Sequence, residues 1–285
     1  MNRSMLASVL VIFLLGTSQA FAIEARDTVA LPSNTVLMVL YYDHAFGNEY
    51  YSKYKKESDS QSLTQNVSIL RTVYYKEFFG HIFATHLIIP FGGVQLNDDQ
   101  SNGIGDITPV ESIWLVDDKV NKFAISTSTY ITIPTGQYRR ESSINIGSNR
   151  WAFKQELAFN KWLGDKFLLE LIGYAQFFTD NTNALNSSSQ RATLSKDPLF
   201  DIEFHASYNF TKEFWASADY YFNIGGEETL DGVRQNNRTN THTVGVELAY
   251  MLTNQMQIML NYKMPVSVEN GIKANEFMAR LSYAF

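Results

Sequence analysis

The chain has 285 residues, a formal net charge of -6, no cysteine, and 14% aromatic residues against 6 Pro. Without cysteine there is no residue for a disulfide bond or for a lipid-anchored N-terminal cysteine, and the mild acidity gives no basic surface for nucleic acid. The length fits one large all-β domain or two ordinary domains, and the aromatic content favours β-strands.

Residues 1–22 have the pattern of a signal peptide that is removed on export. Arg3 supplies the positive start, residues 5–16 form a short apolar core, and Ala20-Phe21-Ala22 is a small-residue cleavage site. No later stretch approaches the about 18 apolar residues that a membrane helix needs. We therefore expect an exported chain whose mature N-terminus lies near Ile23, followed by a polar lead-in too short to form a plug domain.

The rest of the chain predicts twelve strands in which apolar and polar residues alternate. Each even-numbered strand is followed by a short turn and nearly every odd-numbered strand by a longer polar loop, the last of these being the exception. Tight turns on one rim and long loops on the other are typical of bacterial outer-membrane barrels. The predicted strands are residues 35–44, 63–78, 81–91, 104–116, 122–134, 150–160, 166–178, 198–210, 213–224, 241–251, 256–264 and 276–285.

The last predicted strand shows how its two faces differ. Side chains alternate across a strand, so every second residue shares a face. Inside lipid only helices and closed barrels satisfy every backbone polar group, so these strands predict a barrel. The ending on Tyr283 and Phe285 resembles the terminal strand that the bacterial barrel-assembly machinery recognises. The apolar face of this strand is Phe277, Ala279, Leu281, Tyr283 and Phe285.

An exported soluble β-protein is the main alternative, because its strands alternate as well. Its aromatic side chains would fill a core, whereas here aromatic residues gather beside short turns, as in the girdle of a membrane barrel. We therefore predict one all-β domain, residues 23–285, that forms a transmembrane antiparallel β-barrel in the outer membrane of a Gram-negative bacterium. The girdle residues are Phe78, Phe79, Phe159, Trp162, Phe167, Phe210 and Phe214.

The polar faces of the strands predict charged side chains of both signs in the barrel lumen. These side chains either line a conduit and set its selectivity, or pair across the lumen and fill it. The surplus of acids argues against anion selectivity. The candidates are Arg71, Lys154, Glu156, Glu170, Asp201, Glu203, Asp219, Glu247, Lys263 and Arg280.

Motifs for catalysis are missing from the sequence. It has no GxSxG elbow, no HExxH and no paired cysteines for metal, so we predict no enzyme, no metal and no cofactor. A triad is defined by geometry, which leaves a hydrolase at the rim as a third alternative. We expect His205 to fill the lumen and His81 to lie at a turn; the other histidines are His44, His86 and His242.

Two short glycine-containing motifs flank the predicted fourth and fifth strands. They are Gly103-Ile104-Gly105-Asp106-Ile107 and Ile133-Pro134-Thr135-Gly136-Gln137-Tyr138. Glycines at a strand end allow a bulge or tight bend, and proline ends ladder pairing at a strand tip, so we predict structural roles for Gly103, Gly105, Pro134 and Gly136. Asp106 is expected to face the lumen.

With these motifs and the early Ala30-Leu31-Pro32, the chain from about residue 30 onward resembles the MetA-pathway of phenol degradation family of outer-membrane proteins. The resemblance implies an outer-membrane β-barrel, often described as a transporter and linked to uptake of aromatic or other hydrophobic compounds.

These observations predict a passive channel or uptake pore for small molecules, with outer-membrane lipid, the barrel-assembly machinery and a small-molecule solute as partners. The runner-up is a non-conducting barrel whose long loops bind a partner or surface ligand. The residues of the first loop would then matter most: Tyr50, Tyr51, Lys53, Tyr54, Lys55 and Lys56.

Overall fold

The structure, a computed structural model, describes residues 23–285, so the predicted signal peptide lies outside the described residues. Residues 23–285 contain eighteen β-strands and no α-helix, and thus no helix long and apolar enough to cross a membrane. In chain order the strands are β1 Val36–Ser52, β2 Lys55–Ser58, β3 Leu63–Phe78, β4 His81–Leu96, β5 Asp99–Ile104, β6 Thr108–Asp118, β7 Phe123–Thr132, β8 Ala152–Leu163, β9 Phe167–Phe178, β10 Asn181–Leu185, β11 Arg191–Lys196, β12 Leu199–Asn209, β13 Phe214–Gly225, β14 Glu228–Leu230, β15 Val233–Arg234, β16 Thr239–Met251, β17 Met256–Val268 and β18 Gly271–Ala284.

Twelve of the strands in residues 23–285 close into an antiparallel barrel. β18 pairs with β1, so that Leu40 lies opposite Leu281, and this pairing joins the two ends of the sheet. Closure leaves no unpaired strand edge, which a bilayer requires. The prediction of a twelve-stranded antiparallel barrel is confirmed. The barrel strands are β1, β3, β4, β6, β7, β8, β9, β12, β13, β16, β17 and β18.

Several barrel strands extend beyond the predicted ends on the rim that carries the long loops, whereas β6 begins at Thr108 and β7 ends at Thr132, inside the predicted bounds of 104–116 and 122–134. β3 has the predicted bounds, whereas β1 continues to Ser52 and pairs with β2, and β4 continues to Leu96 and pairs with β5. Outside the membrane both faces of a strand contact water, so the apolar alternation fades while the backbone ladder continues. The sequence pattern therefore predicts polar loops where these extensions lie.

A separate four-stranded sheet forms on the same rim. β10 and β11 come from the connection between β9 and β12, and β14 and β15 from the connection between β13 and β16. Leu194 of β11 lies opposite Leu230 of β14, which joins the two connections.

The barrel wall is apolar outside and polar inside. On β12, Ile202 and Phe204 are 49% and 41% exposed, whereas Glu203 and His205 between and beside them are buried. This inside-out arrangement suits a lipid-facing surface and does not suit a soluble sandwich, whose exposed face would be polar.

One predicted girdle residue faces the interior. Trp162 shares the inward face of β8 with the buried Ala158 and Asn160, and the Arg26 guanidinium lies 5.4 Å from its ring centre. Alternation along β8 decides this orientation, because Phe159 is exposed on the opposite face. The girdle prediction selects aromatic residues near a turn and does not take this alternation of faces into account.

Two chain segments enter the barrel. We call residues 23–31 the N-terminal segment and residues 133–151, which connect β7 to β8, the inner loop. Ala25 of the N-terminal segment and Ile144 and Ile146 of the inner loop are buried in one apolar cluster with wall residues such as Val39 and Val67. The lead-in, which the sequence predicts to be too short for a plug domain, lies inside the barrel.

Candidate functional site in the barrel lumen

Wall carboxylates hold the backbone of the N-terminal segment. The amide groups of Ile23, Ala25 and Arg26 donate to Glu203, Glu247 and Glu170 at 3.2, 3.1 and 2.8 Å. Each of these glutamates is at most 1% exposed. A buried amide needs a hydrogen-bond partner, and here strands β9, β12 and β16 supply it.

Wall cations hold the acidic side chains of the same segment. Asp27 accepts hydrogen bonds from Arg71 at 2.9 Å and from Arg280 at 2.8 Å, so two guanidinium groups share one carboxylate. Lys263 lies 3.0 Å from Glu24. Six predicted lumen residues thus contact the N-terminal segment: Arg71, Glu170, Glu203, Glu247, Lys263 and Arg280.

Indole side chains complete the contacts with the segment. The Arg26 guanidinium lies over Trp215 at 4.2 Å from the ring centre, and Trp114 donates its indole N–H to the carbonyl of Thr28 at 2.8 Å. Sequence reasoning missed Trp114 and Trp215. Their position on the inward face of their strands was the available signal, because a tryptophan facing a polar lumen needs a partner there.

The other predicted lumen residues pair with their own neighbours on the wall. Lys154 lies 3.2 Å from Glu156 and over the ring of Tyr130. Asp219 accepts a hydrogen bond from the ring of His205 at 2.8 Å, and both side chains are fully buried. His205 therefore fills space in the lumen, as the sequence predicted.

His205 also belongs to a group of residues that could hold a metal ion. One ligand atom each from His205, Asp219 and Glu247 lie within 4.8 Å of one another, and all three residues are buried. The sequence suggested no metal site, because the three residues come from three different strands.

The two family-like motifs contact each other at the start of the inner loop. Asp106 accepts hydrogen bonds from the amides of Gly136 and Ser148, both at 2.8 Å. A Cβ atom on Gly136 would lie 2.7 Å from the carbonyl carbon of Gly105 and 2.8 Å from Cα of Gly147, so only glycine fits there. Asp106 is buried, but it binds the loop backbone instead of facing open lumen.

The other motif positions surround this contact. Gly103 has a φ of 139°, which a residue with a side chain rarely adopts, and Gly105 packs against Pro90. Pro134 lies two residues after Thr132, the last residue of β7.

Asp99 ties the inner loop to β5. Its carboxylate accepts hydrogen bonds from the hydroxyl groups of Ser142 and Ser143, at 2.9 and 2.8 Å, and from the Ser143 amide. Burial raises the pKa of the Asp99 carboxyl, but the hydrogen bonds from Ser143 and Ser142 outweigh burial and hold that pKa below its ordinary value.

Cavities lie on both sides of the N-terminal segment. One, of about 350 Å³, lies toward the short-turn rim and is lined by aromatic side chains and by Arg26 and Arg71. Another, of about 130 Å³, lies toward the long-loop rim and is lined by Asp201, Glu203 and Tyr221. The segment lines the larger cavity and binds Glu203 and Lys263 of the smaller one, so it lies between these two chambers of the lumen.

The residues of the loop-binding alternative form an ordered hairpin at the long-loop rim. Tyr50, Tyr51, Lys55 and Lys56 lie on β1 and β2, and Lys53 and Tyr54 make the turn between these strands. Lys56 pairs with Glu49 at 2.8 Å on the surface.

A model of one protein family matches residues 46–281, most of the described barrel. The chain belongs to the MetA-pathway of phenol degradation family. The resemblance carried by the glycine motifs is thus confirmed. No protein in the search of curated sequences matches the chain.

Solved structures place this family member among outer-membrane barrels. The COG4313 outer membrane channel from Pseudomonas putida F1 is 27% identical, with a TM-score of 0.88 over 93% of this chain and 100% of that chain. The KdgM porin in complex with disordered oligogalacturonate (10% identity, TM-score 0.50, 87% and 99% covered) and the β domain of the Bordetella autotransporter BrkA (10%, 0.54, 89% and 100%) share the fold alone. The protein is an outer-membrane β-barrel.

Proposed function

We propose that this barrel is a passive channel for uptake of small molecules across the outer membrane. The observation that carries the proposal is a closed barrel with a charged interior, whose lumen holds a short segment of the same chain. Membership of the family and similarity to a solved outer membrane channel support it. No energy source is implied, so solutes move down their gradient.

The occluding segment is bound by forces that can be reversed. It is attached to the wall by apolar contacts, hydrogen bonds and ion pairs, such as those of Asp27 with Arg71 and Arg280, and it forms no strand of the barrel sheet. Displacing the segment would join the two cavities and leave the barrel ladder intact. Opening of the pore is thus separable from unfolding of the barrel.

Aromatic or other hydrophobic compounds are the cargo that we propose. The family description names phenol degradation. The larger cavity offers aromatic faces beside guanidinium groups, an environment that suits flat molecules with a polar substituent. Its aromatic lining is Tyr41, Tyr75, Trp162 and Trp215.

Conductance across a planar bilayer tests the channel proposal. The chain that starts at Ile23 would be compared with a variant that lacks residues 23–30. We expect short, small current steps from the first chain and larger, long-lived steps from the deletion variant, because removing the segment joins the chambers. A shift of gel mobility on boiling checks that both barrels are folded.

A folded deletion variant that never conducts would contradict the channel proposal. The loop-binding alternative would then be favoured. It predicts that removing the β1–β2 hairpin abolishes attachment to a surface ligand. Labelled aromatic solutes trapped in or excluded from liposomes would test the cargo separately.

We infer that the barrel is not an enzyme. Its family and the solved barrels that it resembles are consistent with transport. In residues 23–285 the Ser112 hydroxyl lies 3.4 Å from Nε2 of His86, but Arg71 donates to the other ring nitrogen. A catalytic triad needs a carboxylate at that nitrogen, so this pair lacks the group that would orient a general base.

We further propose that residues 1–22 are removed on export, that the assembly machinery recognises the C-terminal strand, and that lipid covers the apolar belt. Phe285 is 64% exposed and its amide donates to the carbonyl of Val36 at 2.8 Å, while its ring packs on Tyr283. These residues thus stand at the seam where the barrel closes.

A further inference from the structure

The predicted cleavage site and the lumen contacts meet at one atom. The backbone nitrogen of Ile23 donates to Oε2 of Glu203 at 3.2 Å inside the barrel. The sequence predicts that the peptide bond before this nitrogen is hydrolysed on export. The side chain of Ile23 is buried against Ala158 and Ile172, which fixes where the nitrogen lies.

Hydrolysis converts the backbone nitrogen of Ile23 from an amide into an amine. Water adds to the bond between Ala22 and Ile23, Ala22 leaves as a carboxylate, and the nitrogen of Ile23 becomes a primary amine that takes a proton near neutral pH. One N–H donor becomes three, and a positive charge is created 3.2 Å from a carboxylate. Charge-assisted hydrogen bonds of this kind are roughly twice as strong as neutral ones.

A carboxylate oxygen without a hydrogen-bond donor lies near Glu203. Among residues 23–285, Oδ1 of Asp201 is buried without a hydrogen-bond partner, and Asp201 and Glu203 line the same cavity. Of the nearby bases, Lys154 is 3.2 Å from Glu156, and the ring of His205 lies 3.5 Å from Glu203 and 2.8 Å from Asp219. An added cation would balance this acidic wall.

We propose that the α-ammonium group created at Ile23 binds Glu203 inside the barrel and locks the N-terminal segment in the lumen, so that processing of the chain sets the closed state. The closed state is meaningful only if the barrel is a channel, so the inference rests on the proposed function. The ion pair between the ammonium group and Glu203 does not depend on it. The ligand of this site is the processed N-terminus itself.

The first test removes the ammonium and keeps the shape of the residue. A refolded chain that starts at Ile23 would be transaminated, which converts the α-amine to a ketone and spares lysine side chains. Met-Ile23 would be a second variant, in which the ammonium moves by one residue, about 3.8 Å. We expect both changes to increase the open time at least about tenfold, because the charge-assisted bond is lost.

A double cycle identifies the partner of the ammonium. In Glu203→Gln the loss of the amine should have little further effect, because its partner is already neutral. Glu247→Gln is the matched control: it accepts from the amide of Ala25, which stays an amide, so its effect should add to that of amine loss. Additive effects at Glu203, or no effect of transamination, would overturn the proposal.

Resistance of the segment to proteolysis and the midpoint of urea unfolding report docking without any current. If the deletion variant never conducts but coupling between the amine and Glu203 persists in these measurements, the channel proposal fails and this one stands. An exported chain whose mass shows a start other than Ile23 would overturn the inference directly.

Discussion

At the scale of single residues, Asp27 is where the wall and the N-terminal segment are joined most directly. Arg71 of β3 and Arg280 of β18, two strands that pair with β1, both bind its carboxylate. The three side chains are at most 15% exposed, so water screens these ion pairs little. The sequence placed both arginines in the lumen but could not supply their shared partner.

We predict that Asp27→Asn releases the segment. Two buried guanidinium groups lose their counterion, and breaking a buried pair costs about 3–5 kcal/mol. Current recordings should show a higher open probability, and the midpoint of urea unfolding should fall. Asp59→Asn is the control, because Asp59, just after β2, is 74% exposed. If both variants keep the low open probability of the unchanged chain, the prediction is wrong.

A second residue-scale prediction concerns Asp99 and pH. Its pKa in the folded protein is lowered, so it stabilises the inner loop above the ordinary aspartate pKa of about 3.9 and ceases to do so as pH falls through the lower folded value. Hydrogen exchange of residues 142–143 should accelerate below about pH 4. In Asp99→Asn the amides of residues 142–143 should exchange quickly at every pH. If their exchange in this variant still accelerates below about pH 4, Asp99 is not the cause.

At the scale of elements, the wall could be predicted from the sequence and the contents of the lumen could not. Alternation along β12 told which side chains face inward, and β3 has the predicted bounds. The N-terminal segment has no such period, and its partners are distant: Ile23 and Glu203 are 180 residues apart. Where a short polar segment docks depends on closure of the barrel, which local patterns do not encode.

The inner loop gives the element-scale prediction. Gly136→Ala places a methyl group within 3 Å of backbone atoms of Gly105 and Gly147, so the loop must shift. We expect the loop to become protease-sensitive and the barrel to lose about 1–3 kcal/mol of stability. Gly173→Ala is matched: its new methyl group would meet its nearest atom at 3.7 Å, an ordinary contact. Equal sensitivity of both variants would show that close packing at Gly136 is unimportant.

At the scale of the whole molecule, the interior of the barrel is acidic. Among the described residues whose side chains face inward from the wall, carboxylates outnumber cations. This imbalance predicts that the lumen attracts cations, since a low-dielectric wall concentrates the field of its fixed charges. The carboxylates are Asp43, Glu156, Glu170, Asp201, Glu203, Asp219, Glu247 and Glu276, and the cations are Arg71, Lys154, Lys263 and Arg280.

Selectivity of the open pore follows from this imbalance. In the variant without residues 23–30, the reversal potential in a KCl gradient should show a several-fold preference for K⁺ over Cl⁻. The preference should fall when Asp201→Asn and Glu203→Gln are combined, whereas Glu57→Gln, in the exposed hairpin, should leave it unchanged. It should also fade between 0.1 M and 1 M salt, because the Debye length shrinks from about 10 Å to about 3 Å. A preference for Cl⁻ would mean that the surplus carboxylates are protonated or hold bound cations, so that the arginines and lysines of the wall set the field instead.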